Sequence, residues 1–137
     1  MSKPIYLNFH NNFFDKIIIK KRDEIFKVIF NNLNIKSIKS ILDVGATEDN
    51  KYKSSNYLTK KFNFITNIYG LSDQKVTNQF YKKIVRKSIT KSFNLSEVKK
   101  LKSDLVLSNA VLEHVGSYSN QRKMVHNIIK LSKKYFV

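Results

Sequence analysis

Lys39-Ser40-Ile41-Leu42-Asp43-Val44-Gly45-Ala46-Thr47 decides the fold, together with its later counterpart Ser103-Asp104-Leu105-Val106-Leu107-Ser108-Asn109-Ala110. In each, a short and largely apolar run passes into small or polar residues, and an amphipathic stretch follows. Such a run reads as a strand buried on both faces, which is the habit of parallel sheets. Parallel strands require crossover connections, so their carboxyl ends gather along one edge. Ligands of open α/β sheets sit at that edge, which makes both loops candidate site loops.

Upstream, Phe13, Phe14, Ile17, Ile18, Phe26, Ile29 and Phe30 recur at helical spacing between the charges of Lys20 to Glu24. The pattern predicts an amphipathic helix over 13–33, continuous or broken near Lys20–Arg22, with its apolar face on the sheet. Residues 1–12 read as an irregular lead-in to a domain spanning 13–137. Downstream of a first strand at Ile41–Val44 comes a polar loop, then a short helix to Lys61 capped by Ser54 or Ser55. Phe64–Tyr69, ending at Gly70, reads as the second strand. Residues 71–83 read as loop and weak helix, and Lys83–Arg86 as a short third strand. A helix capped by Ser96 runs to Leu101, before a fourth strand at Asp104–Leu107. Val111–Val115 follows as a site-facing segment, then a helix over Gln121–Leu131 and the start of a fifth strand at Tyr135. The alternation predicts an α/β domain with a parallel sheet and helices on both faces, incomplete beyond that fifth strand.

At 137 residues the chain has room for one core. An apolar content of 42%, with 12% aromatic, argues for packing over disorder. No apolar run approaches the roughly eighteen residues of a membrane helix, and Met1-Ser2-Lys3-Pro4-Ile5-Tyr6 lacks a signal-peptide core. The absence of cysteine excludes disulfides, thiolate metal sites and cysteine nucleophiles, and fits a cytoplasmic setting. Net charge is +16, from 26 Lys and Arg against 10 Asp and Glu. Arginine stands only at 22, 86 and 122, whereas phosphate readers favour its fork. A coding bias toward Lys, Asn and Ile accounts for much of the excess; a functional basic surface is the competing reading.

Asp43-Val44-Gly45 is the first chemical candidate, because glycine after a buried strand lets the main chain turn tightly and approach a ligand. A carboxylate at the strand end can hold loop amides or bind a ligand ammonium through water. Ala46, Thr47 and Glu48 follow the glycine, so no pyrophosphate cradle forms, and Glu48 and Asp49 would repel one. His114 has two readings: a general base for an oxygen or nitrogen acceptor, or a residue that caps and packs the segment after the fourth strand. His10 and His126 stand outside any cluster, and no spacing of ligands predicts a metal. No Walker loop, Gly-x-Ser-x-Gly or serine triad is present.

Taken in series, these motifs resemble one bacterial group, type 11-like, of class I S-adenosylmethionine-dependent methyltransferases. The group's pattern of Asp-Val-Gly-x-Thr-x-Asp is met by Asp43 to Asp49, and its Ser-Ser-Asn-Tyr by Ser54 to Tyr57. Its Ile-Thr strand is met by Ile65-Thr66, and Gly70-Leu71-Ser72-Asp73 follows. Its Ser-x-Ala-Val-Leu-Glu-His-Val-Gly-Ser is met by Ser108 to Ser117. Gln121, the helix to Leu131 and the closing Tyr-Phe-Val also agree, so the likeness covers about residues 39–137.

The resemblance implies a Rossmann-like fold, S-adenosyl-L-methionine as cofactor, and methyl transfer to an O, N or C acceptor. A small-molecule, sugar or lipid-linked acceptor is expected ahead of nucleic acid. Asp43, Gly45, Ala46 and Thr47 would line the methionine moiety, and Ser72 or Asp73 would take the ribose hydroxyls. Ser108, Asn109 and Ala110 would stand beside the sulfonium, with Glu113 and catalytic His114 just behind. Three departures are visible: Ser72 replaces a ribose carboxylate, no Asp lies near Arg86-Lys87-Ser88-Ile89, and the group's later strands do not follow. The last implies a fragment. The competing expectation is a degenerate, non-catalytic Rossmann-like module that binds RNA or a protein through its basic surface.

Overall fold

The computed structural model describes residues 12–48 and 52–137. Five strands form one sheet: β1 (Ser40–Val44), β2 (Asn67–Ser72), β3 (Lys83–Arg86), β4 (Ser103–Leu107) and β5 (Ser132–Phe136). Their order is β3-β2-β1-β4-β5, and every neighbouring pair is parallel. This is a Rossmann-like α/β arrangement. The chain steps outward from β1 to β3, then crosses back to lay β4 on the other side of β1. That reversal opens a crevice between the carboxyl ends of β1 and β4.

Helices α1 (Asn12–Asn32), α2 (Tyr57–Lys60), α3 (Leu95–Leu101) and α4 (Tyr118–Leu131) flank the sheet, with single 3₁₀ turns at Ile35–Ser37 and Leu112–His114. All five residues of β1 and of β4 are buried, so side-chain alternation feeds two separate cores. Ile41, Leu105 and Leu107 pack with Ile29 of α1, Leu58 of α2 and Phe62. Leu42, Val44 and Val106 pack with Leu101 of α3 and with Met124 and Leu131 of α4. Each buried Leu or Ile contributes about 1.5–3 kcal/mol. Asp43 shares the Ile41 face by the same alternation, which sets its carboxylate on the α1–α2 side.

Several boundaries differ from the sequence expectation, each for a local reason. Helix α1 is unbroken; Lys21 and Glu24, one turn apart, pair at 2.8 Å where a break was an option. Only its second half covers the sheet, through Ile25, Phe26 and Ile29, joined by Leu33 just beyond its end, while Phe13, Phe14 and Ile17 stay exposed. Strand β2 starts at Asn67 and runs through Gly70, which is a packing glycine and not a terminator. A Cβ there would lie 3.1 Å from Ala46 Cβ and 3.2 Å from Ile84 Cγ1. No helix forms over the described residues 71–83.

Caps moved as well. Helix α2 is preceded by Asn56 in the left-handed region, with no side-chain cap from Ser54 or Ser55. Helix α3 is capped by Asn94, whose side chain accepts from Glu97 N while Glu97 accepts from Asn94 N, both at 2.9 Å. That reciprocal pair outcompetes Ser96, which falls inside the first turn. Helix α4 starts early, at Tyr118, because Ser117 caps it. Strand β5 follows without a connecting loop and so begins at Ser132. Of the predicted irregular lead-in, residues 1–11 lie outside the described residues, and Asn12 opens α1.

Candidate functional site

A cavity of about 610 Å³ lies at the carboxyl edge of β1, β2 and β4, within the range of small-molecule sites. The turn after β1 enters it at Gly45, and the turn after β4 enters it at Asn109 and Ala110. Strands β1 and β4 are direct parallel neighbours, with Asp43 opposite Leu107, so these turns leave side by side.

Gly45 adopts φ +92°, and a Cβ added there would lie 2.4 Å from Val111 Cγ2. Backbone conformation and space both demand glycine. The Gly45 and Ala46 amides donate to Leu71 O at 2.8 and 3.3 Å, clamping the turn onto β2. Ala46 is fully buried between this turn and Gly70, yet still borders the cavity. Ala110 also sits in the left-handed region, at φ +59°, where a non-glycine residue is strained.

Asp43 is 6% exposed. Its Oδ2 accepts from Thr59 Oγ1 at 2.7 Å and from the Tyr81 hydroxyl at 2.6 Å. Holding loop amides was one of two roles open to this carboxylate; the Gly45 and Ala46 amides go to Leu71 O. Thr47 lines the cavity while Asn56 latches it: Asn56 Oδ1 accepts from Thr47 N at 3.0 Å and Asn56 Nδ2 donates to Thr47 O at 2.7 Å. Asn56, read earlier as part of a motif, thereby fixes the loop across its left-handed turn.

Ser72 and Asp73 both border the cavity, Ser72 buried and Asp73 exposed. Ser72 Oγ accepts from Gln74 N at 3.2 Å. His114 stands exposed at the rim, in the 3₁₀ turn after β4. Ser108 departs from expectation and does not line the cavity. Its amide donates to Val137 O at 2.8 Å, continuing the β4–β5 ladder, and its Oγ is buried with no hydrogen-bond partner among the described residues. Sheet pairing thus turns Ser108 away from the site. Glu48 accepts from Thr77 N and Oγ1, and Asp49 lies outside the described residues.

Sequence reasoning missed several lining residues. Arg22 reaches the cavity from α1, and its guanidinium donates to Ser54 O. Burial pushes this guanidinium below its ordinary range, while the carboxylates of Asp15 and Asp43 pull it upward. It keeps its charge, as arginine does in proteins. The segment after β3 supplies Lys87, Ser88, Ile89 and Thr90. Lys87 pairs with Glu97 at 2.6 Å and lies 4.7 Å from the Phe93 ring centre. That hydrogen bond to Lys87 holds the Glu97 carboxyl below its ordinary range. Arg22 sat among four other charges and read as solvated; only its being one of three arginines set it apart.

The cavity is therefore mixed in character: one half-buried cation beside a buried carboxylate at one end, hydroxyls and a second carboxylate toward β2. Among the described residues no cluster of His, Cys, Asp or Glu is arranged to hold a metal, and no helix is long and apolar enough to cross a membrane. Fold and site together define an α/β protein with a ligand-sized cavity at its topological switch point. Neither the protein-family models nor the curated proteins compared with this chain give a match.

Proposed function

We propose that this chain is a class I S-adenosylmethionine-dependent methyltransferase domain, acting in the cytoplasm on an oxygen, nitrogen or carbon nucleophile. One observation carries the reading: the Gly45 turn and the Asn109 turn leave neighbouring parallel strands and share one cavity.

The residues present suit a nucleoside joined to a zwitterionic amino-acid tail. Gly45 lets the turn after β1 close against Val111 at the cavity edge, where any Cβ would lie 2.4 Å from Val111 Cγ2. Arg22 and Asp43, adjacent at one end, complement a carboxylate and an ammonium. Ser72 and Asp73 offer an acceptor pair for ribose hydroxyls, and Ile89 with Ser88 and Thr90 would border the base. When bound, the cofactor supplies an already activated sulfonium methyl. The chain's work is then alignment: Asn109 and strained Ala110 border the reacting end, and His114 at the rim takes the acceptor's proton.

Isothermal titration with S-adenosylhomocysteine tests this directly. Saturable one-to-one binding is expected. A chain that is folded by circular dichroism yet takes up no ligand at millimolar concentration overturns the proposal.

A further inference from the structure

A second cavity, of about 760 Å³, lies on the far side of the segment after β3 and meets the first at Thr90, which lines both. One wall is the β3–α3 connection with Lys91 and Ser92; the other is the first three turns of α4 with Arg122, Lys123 and His126. Among the described residues no carboxylate lines it. Lys91, Arg122 and Lys123 are exposed, and none pairs with a carboxylate among the described residues. Four lysines elsewhere in the fold, Lys21, Lys61, Lys87 and Lys134, each face an acid.

The walls are held at a fixed separation. Asn127, 6% exposed, donates from Nδ2 to Ile89 O at 2.6 Å and to Lys91 O at 2.9 Å, and Lys130 Nζ donates to Phe93 O at 2.9 Å. Three hydrogen bonds from α4 thus tie down the opposite wall. At the mouth stands Tyr118, 75% exposed. An aromatic ring left in water beside unpaired cations is not explained by packing. Cations that follow a groove and an aromatic face on its lip are the two elements of single-strand recognition: phosphates track the charges and a base stacks on the ring. Ser92, Ser119 and Asn120 add neutral donors for phosphate oxygens.

We infer that the groove between the β3–α3 connection and α4 binds single-stranded nucleic acid, with Lys91, Arg122 and Lys123 on the backbone and Tyr118 stacked on a base. This does not depend on the methyl-transfer reading, because it concerns a different cavity and is tested by binding without cofactor.

The test is fluorescence anisotropy with a labelled oligouridine of about ten nucleotides, an oligothymidine of equal length and the matching duplex, each titrated across a range of salt. Wild-type chain is expected to prefer either single strand over the duplex; the RNA and DNA arms show whether the 2′-hydroxyl contributes. K91Q/R122Q/K123Q is expected to lower affinity about tenfold or more at low salt and to reduce the logarithmic salt slope by about two. K99Q/K100Q/K102Q removes the same charge from exposed positions outside the groove and is expected to change affinity less than about threefold. Tyr118→Ala is expected to weaken binding about tenfold and Tyr118→Phe to retain it. Equal losses in the two triple variants overturn the inference, because overall charge then explains the binding. Duplex preference, or a Tyr118→Ala chain that binds like wild type, overturns it as well.

Discussion

The Tyr81 hydroxyl donates a 2.6 Å hydrogen bond to the Asp43 carboxylate, joining the β2–β3 connection to the end of β1 beneath the cavity floor. Tyr81 is 6% exposed and belongs to the α1–α2 core, so neither group exchanges this bond for water. Tyr81→Phe keeps the ring and deletes the donor. A hydrogen bond to a charged group contributes about 1.5–3 kcal/mol, and a loss in that range is expected. Urea unfolding reads it as a lower midpoint at unchanged slope. An unchanged midpoint means that water or another donor replaces the phenol.

Gly45 combines two constraints that mutation can separate. Gly45→Ala is expected to cost about 1–3 kcal/mol through its positive φ alone, with the clash on Val111 added. Adding V111A relieves the clash and leaves the backbone strain. The double variant should therefore recover part of the single variant's loss in thermal stability, never all of it. Full recovery shows that the φ requirement is unimportant.

Arg22 is the one arginine that reaches the first cavity. If the proposed cofactor's carboxylate meets its guanidinium, Arg22→Met should weaken S-adenosylhomocysteine binding by roughly tenfold or more, the size of a charge-assisted hydrogen bond. Arg22→Lys should recover only part of this, since ammonium cannot reproduce the fork. Calorimetry at constant pH checks both. Unchanged affinity in the Met variant assigns Arg22 to holding Ser54 alone.

Acid should weaken the fold through Asp104. Burial works to raise this carboxyl, but the Lys39 amide at 2.8 Å, the Lys134 and Lys133 ammonium groups and Ser40 outweigh burial and hold it below its ordinary range. A carboxyl lowered in the folded state stabilises fully above its unfolded value, about 3.9, and loses that contribution as pH falls through the folded one. Urea midpoints measured from about pH 6 down to pH 2 should therefore fall, and fall less in Asp104→Asn. Parallel curves for the two proteins exclude Asp104 as a contributor.

The parallel sheet was readable because β1 and β4 carry short apolar runs, Ile41-Leu42 with Val44 and Leu105–Leu107, each passing into small or polar residues. Gly45 and Asn109 followed from it, since topology alone carries both turns to one edge. Arg22 and Thr59 were not readable: each reaches the cavity from a helix whose docking depends on tertiary packing. Tyr81 lies in a connection without periodicity, so nothing local marks its bond to Asp43. Ser108 misled for the opposite reason. It sits inside a motif-like string, yet its backbone belongs to the β4–β5 ladder. Gly70 shows the same limit, because a glycine needed for close approach looks in sequence like one needed for a turn.

Among the described residues both margins of the sheet, β3 and β5, leave one side of the backbone without a neighbouring strand. Each margin displays exposed cations: Lys83 and Arg86 on β3, Lys133 and Lys134 on β5, with Lys134 also facing Asp104 at 3.6 Å. Mutual repulsion then keeps one molecule from zipping onto another, a protection that operates only while those charges are felt across the gap. Screening shortens from about 10 Å at 0.1 M salt to about 3 Å at 1 M. The protein should accordingly be best behaved in dilute buffer and begin to self-associate as ionic strength climbs, with the onset set by four side chains that touch neither cavity.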